Sequence, residues 1–162
     1  MNGEQAPLAS LGRRTTAMTI DLLVLSGLVL VLFYDQLMVL AMQLQTANTP
    51  EKVEQFRYAM ATFSRQNLPY LFALYAAYHA FLVGATGATP GKYLVRIEVV
   101  DAVTGARPGW MAALVRALGR TVGELLLLYA TFVPAWFTER RQTLHDLLAN
   151  TVVVQRKTVV RP

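Results

Sequence analysis

Residues 66–91 read QNLPYLFALYAAYHAFLVGATGATPG, 26 consecutive positions without an Asp, Glu, Lys or Arg. A helix needs about 20 mainly apolar residues to cross a bilayer core of about 30 Å, so this stretch is long enough to span a membrane. Upstream, Thr15–Tyr34 carries a single charge, Asp21. Downstream, Leu125–Thr138 carries none, but its 14 residues are too few to cross alone. Over the whole chain of 162 residues 54% are hydrophobic and only 15% charged, against roughly a quarter charged in a soluble domain. The expected fold is an all-α membrane protein forming a single domain. It comprises a two-span helical hairpin (about 15–40 and 67–87), a third helix that is interfacial, re-entrant or spanning, and a small cytoplasmic β element.

The charges say which way the hairpin points. Of fifteen Lys and Arg, only Lys52, Arg57 and Arg65 fall between the first two apolar runs, and the other twelve flank them on the opposite side. Basic loops stay cytoplasmic. The N-terminus, the basic loops and the C-terminus are therefore expected inside a bacterial inner (plasma) membrane, in a multi-pass arrangement with residues 45–67 outside. A net charge of +5 by itself suggests nucleic acid. These basic residues track the membrane instead of lining one face or an aromatic platform, so no nucleic-acid partner is expected. Arg13-Arg14 ahead of an apolar stretch resembles a signal peptide. The intruding Asp21, and an apolar run that reaches Leu44, argue for a retained span.

Along the chain, residues 1–12 are expected to form a loose or interfacial cytoplasmic arm. Thr46–Pro50 breaks the first helix. Pro50 and Glu51 suit the start of a new one, where Val53, Phe56, Met60 and Phe63 recur at helical spacing. Residues 50–65 thus read as an amphipathic helix on the outer surface, with Leu68-Pro69 opening the second span. After the turn at Ala88–Lys92, residues 93–100 alternate as a strand does, predicting a cytoplasmic β-hairpin over about 92–108. Thr151–Val154 is β-branched and could pair with its first strand.

Residues 110–137 are ambiguous. Their first half sets Arg116 and Arg120 four apart on one helix face, with Ala113, Ala117 and Leu114 elsewhere. Their second half is strongly apolar and contains Pro134. Full crossing would put Arg140, Arg141, Arg156, Lys157 and Arg161 outside, so a shallow or re-entrant path is favoured over a third span. The segment 138–162 then stays cytoplasmic.

Chemistry-bearing motifs are few. With no cysteine, and two histidines 66 positions apart, disulfides are excluded and a metal site is not expected. Thr86–Lys92 superficially resembles a phosphate loop, but Thr86 and Tyr93 stand where that loop needs Gly and Ser or Thr. No nucleophile elbow or metalloprotease helix occurs. The expectation is a chain that is not an enzyme, with no catalytic residues and no cofactor.

The charged set inside the apolar segments is therefore what invites a function. An Asp at the centre of a spanning helix costs roughly 2.5–3.5 kcal/mol, and less toward an end. Asp21 follows Arg14 by two helical turns, so the two share a face. It reads either as a structural anchor or as an ion or proton site. His79, at similar depth in the second span, could pair with it or simply bond Tyr75, Tyr78 or a carbonyl. Glu124 could reach Arg120 across one helical turn.

Arg14…Asp21, Thr89-Pro-Gly-Lys92, Val99-Val-Asp101 and Arg141-Gln-Thr-Leu-His-Asp146-Leu-Leu-Ala-Asn-Thr151 together resemble the RDD family of bacterial membrane proteins. The resemblance implies Arg14, Asp21 and Asp146 as the family's arginine and two aspartates, and it spares only the outer loop, 45–67. Asn150 departs from it, standing where Gly is expected. The family implies an inner-membrane location and a suspected transport role. Two readings follow. One is a homo-oligomeric cation or proton transporter or conduit using Arg14, Asp21, His79 and Asp146. The other is a non-enzymatic accessory or assembly subunit of a larger membrane complex, docking through the small residues Ala73, Ala76, Ala77, Ala80 and Gly84.

Overall fold

The computed structural model describes residues 6–156, and for Leu127, Leu128 and Tyr129 the backbone alone. In chain order the elements are α1 (Leu11–Leu32), α2 (Tyr34–Thr46), α3 (Pro50–Thr86), α4 (Pro90–Leu94), β1 (Ile97–Asp101), α5 (Trp110–Leu127), a 3₁₀ turn (Leu128–Phe132), α6 (Pro134–Phe137), α7 (Leu144–Leu148) and β2 (Thr151–Gln155). Helices dominate, as expected. Two of them, α1 and α3, are long and apolar enough to cross a membrane. Their apolar windows are only 17% buried, unlike the core helix of a soluble protein. Leu23, Leu30, Val31 and Phe81 all lie exposed, a face suited to lipid.

Contacts divide the chain into two compact units. The first holds residues up to Leu22 together with Tyr75 onward; the second is Leu23–Leu74. Within the second unit Phe33 meets Phe63 edge to face at 6.0 Å, and the Asn67 amide donates to Gln36 Oε1 at 2.9 Å. Two boundaries differ from the sequence reading here. The first helix is interrupted at Phe33 (φ −114°, ψ 21°). The separate outer helix over 50–65 does not exist: residues 50–86 form one helix of 37 residues with Pro69 inside it. Proline removes one backbone donor and usually kinks a helix, but apolar residues on both sides of Pro69 keep the helical path going.

The first unit is built around a two-stranded antiparallel sheet. β1 pairs with β2 in the register Ile97↔Gln155 to Asp101↔Thr151. The hairpin expected over 92–108 is not formed. Residues 92–94 belong to a helical turn, and the partner of β1 lies some fifty residues further on. The turn at Asp101–Gly105 does form, with the Asp101 carboxylate accepting from the Val103 and Thr104 amides. The N-terminal arm is not loose where described. Leu8 bridges Val154, the Ala9 amide donates to the Val153 carbonyl, and Ala9 is fully buried. The core beneath the sheet consists of Ala9, Ala17, Val83, Ile97, Val99, Ala113 and Val153. Residues 1–5 and 157–162, including the basic Lys157 and Arg161 of the charge pattern, lie outside the described residues.

Helix α5 corrects the reading of its faces. Ala113, Arg116, Ala117, Arg120 and Thr121 are all buried and share one stripe at helical spacing. Leu114 and Leu118 face outward. Beyond Leu127 the helix ends in the 3₁₀ turn, and the chain folds back: a Cβ at Gly123 would lie 2.6 Å from Thr131 Cγ2. An uninterrupted helix holds residues eight apart about 12 Å apart along its axis. The apolar run 125–138 is thus broken into short pieces.

Candidate functional site

The first unit encloses a cluster of ionised side chains, and Asp146 is at its centre. Thr143 caps α7 and Asp146 is that helix's third residue, a reciprocal capping box. Its carboxylate accepts from the Thr143 amide at 3.2 Å and hydroxyl at 2.8 Å. Two arginines and a hydroxyl of β2 complete its shell: Arg116 of α5 at 2.7 Å, Arg14 of α1 at 3.3 Å and Thr151 at 3.4 Å. Asp146 is fully buried. Burial opposes its charge, but Arg116, His145 and Arg14 outweigh that and hold it far below the usual carboxylate range. Arg14 also donates to the Val153 carbonyl at 3.3 Å. One carboxylate thereby fastens α1, α5, α7 and β2.

Asp21 makes a second knot. Its Oδ1 accepts from the Gly91 amide at 2.8 Å and the Tyr78 hydroxyl at 3.0 Å, and its Oδ2 from Thr89 at 2.5 Å. Thr89 and Gly91 belong to the Thr-Pro-Gly-Lys turn that starts α4, so Asp21 satisfies donors that a helix start leaves free. A side chain at Gly91 would run into the Ala17 carbonyl, which is why this position is glycine. Lys92 is buried here as well, with its ammonium 3.4 Å from the Thr89 hydroxyl. Burial first, and then Arg116 and Arg120, push its pKa well down, with Asp21 and Asp146 opposing.

The expected Arg120–Glu124 contact is present at 2.9 Å, and Glu124 also accepts from Tyr75 at 2.6 Å. His79 is buried between Tyr75 and Tyr78, at ring separations of 4.6 and 5.1 Å, and neither of its nitrogens has a hydrogen-bond partner. His145, buried against Phe132 at 5.7 Å, has its pKa driven well down by burial and Arg116.

Of the residues singled out in sequence, Arg14 and Asp146 are brought into direct contact. Asp21 keeps company with Tyr78, Thr89 and Gly91 instead of Arg14, although the two share a helix. No hydrogen bond joins His79 to Asp21; the link runs through Tyr78, its sequence neighbour. Sequence reasoning named Arg116, Lys92, Thr89 and Thr143 in its motifs and faces but gave none of them a place in the charged set. Signals were available: Arg116 falls in step with two alanines, and Thr-x-x-Asp at 143–146 is a capping box. Asn150, where Gly was expected, has φ 49°. That left-handed conformation favours glycine, and asparagine tolerates it better than most residues do. The turn is kept.

Arg14, Asp21, Lys92, Arg116, Arg120 and Asp146 line a cavity of about 30 Å³. Such an arrangement can bind charge or hold elements together.

A family model described as the RDD family matches residues 8–150. The chain is similar to the uncharacterized membrane protein YteJ of Bacillus subtilis, 29% identical over 99 residues, covering 60% of this chain and 58% of the relative. It is also similar to a proline-rich antigen of Mycobacterium leprae, 31% identical over 74 residues, covering 46% of this chain and 29% of that protein. The chain thus spans less than two thirds of either relative. No solved structure matches.

Proposed function

Because the chain belongs to the RDD family and is a membrane protein, we propose that it is a non-enzymatic accessory or assembly subunit of the bacterial inner membrane, fastened internally by its buried charges. One observation carries this reading: Asp21 and Asp146 are both saturated by donors of the same subunit. A carboxylate held by three or more fixed donors is poorly placed to take up and release an ion. Partner helices would dock on α3, where Ala73 and Ala77 lie exposed one turn apart and small residues let backbones approach. Gly84 is already covered by the Trp110 ring. In this reading the N-terminus, Lys92 and the sheet face the cytoplasm.

The test is purification from the native membrane in mild detergent. Foreign subunits in fixed stoichiometry, lost on Ala77→Leu, support the proposal; a homogeneous ring of identical chains overturns it.

A second reading, proton or cation transport by a homo-oligomer, draws on His79, whose nitrogens have no partner and whose ring packs edge to face on Tyr78, the residue that donates to Asp21. It requires pH-dependent flux in proteoliposomes, abolished by Asp21→Asn with oligomer size unchanged. Wild-type vesicles without flux under sodium, potassium and proton gradients would eliminate it.

A further inference from the structure

Counted at formal charge, the cavity in the first unit is short of one negative group. Arg14, Lys92, Arg116 and Arg120 bring four cationic side chains to it, all of them buried. The carboxylates available to them are three: Asp21 and Asp146 in the lining, and Glu124, paired with Arg120. Asp146 is shared by Arg14 and Arg116, while Asp21 is occupied by two hydroxyls and an amide. Lys92 therefore has no ion-pair partner among the described residues; its nearest acceptor is a threonine hydroxyl. An isolated charge out of water is costly enough that such groups pair or neutralise.

The same space holds polar nitrogens without partners. Arg14 Nε and His145 Nδ1 are buried without hydrogen-bond partners, and both residues line the cavity. A cavity needs only about 10–15 Å³ to hold one water, so about 30 Å³ has room for one monatomic anion. From four cationic side chains set against three carboxylates, a Lys92 without an ion-pair partner, the unpartnered Arg14 Nε donor and this volume, we infer that the cavity is a binding site for one small monovalent anion of halide size.

Such an ion offsets the burial and arginine repulsion that disfavour the Lys92 ammonium. Four cationic side chains in the lining disfavour a cation in the same space. This site is independent of whether the protein serves as an accessory subunit or a carrier.

The experiment uses the full chain in detergent, with sodium concentration and ionic strength fixed while gluconate, too large for the cavity, is replaced by bromide. The expected result is a saturable rise in melting temperature, about 3 °C or more at bromide ten times its dissociation constant. Crystals grown in bromide should give an anomalous peak within the cavity. Lys92→Met should melt independently of bromide. A flat wild-type response without a cavity peak overturns the inference, as does a bromide dependence that Lys92→Met leaves unchanged. The wild-type measurement decides the matter even if the variant fails to fold.

Discussion

At the scale of single residues, Asp146 ties α1, α5, α7 and β2 together. Asp146→Asn leaves Arg14 and Arg116 buried without a counter-charge, and breaking a buried pair in this way costs about 3–5 kcal/mol. Thermal unfolding in detergent should register that loss. A double-mutant cycle sharpens it. Arg14→Gln with Asp146→Asn should be non-additive by 1 kcal/mol or more, whereas Arg14→Gln with Asp21→Asn should add to within about 0.5 kcal/mol, because their partners differ. The sequence showed Arg14 and Asp21 on one helix face and so suggested that they were coupled. A shared face is no bond, and the nearer partner of Arg14 came from 132 positions away. The pH dependence follows from signs. Asp146 is depressed, so its contribution is complete above its unfolded value of about 3.9 and fades only below that. His145 is depressed too, and there the unfolded chain takes the proton first as pH falls. Stability should therefore decline below about pH 6.5, by at most about 1.4 kcal/mol per unit for this group. His145→Gln should shallow the decline measured between pH 6.5 and 5; an unchanged slope would assign it elsewhere.

At the scale of elements, the short helix α4 is fixed from outside itself. Its first turn gives its amide to Asp21, and Gly91 lets the α1 backbone come close. Gly91→Ala should destabilise by about 1–3 kcal/mol through overpacking. Gly27→Ala, in α1 with nothing within 4 Å, should be neutral or mildly stabilising. Melting both variants side by side separates close approach from general glycine effects. The two long apolar helices were legible because lipid demands an uninterrupted apolar length, and composition alone reveals it. Helix α5 was less legible: its arginines face inward among alanines, and a polar stripe at period 3.6 looks the same whether it meets headgroups or a carboxylate. The Pro69 boundary was misplaced because propensity marks where a helix can begin, and neighbouring residues decided that it did not.

At the scale of the whole molecule, orientation is the open prediction of most consequence. Cysteines placed at Ala47, Ala102 and Gln155 of this cysteine-free chain should be labelled by an impermeant external reagent at position 47 only. Labelling at 155 would mean that residues 110–137 cross completely. The family was readable from scattered motifs because each marks a fixed contact of the fold: Arg14 and Asp146 meet, and Thr89–Lys92 receives Asp21. The sheet partner of β1 was readable only as a possibility, since a β-branched run specifies a strand and not its mate. That pairing has a consequence for biosynthesis. The arm at Leu8 and Ala9 emerges from the ribosome first, and β2, which it joins, emerges after residue 150. Until then Arg14 of α1 lacks both Asp146 and the Val153 carbonyl. A nascent chain interrupted before that point therefore carries an arginine without the carboxylate and carbonyl that hold it in the fold.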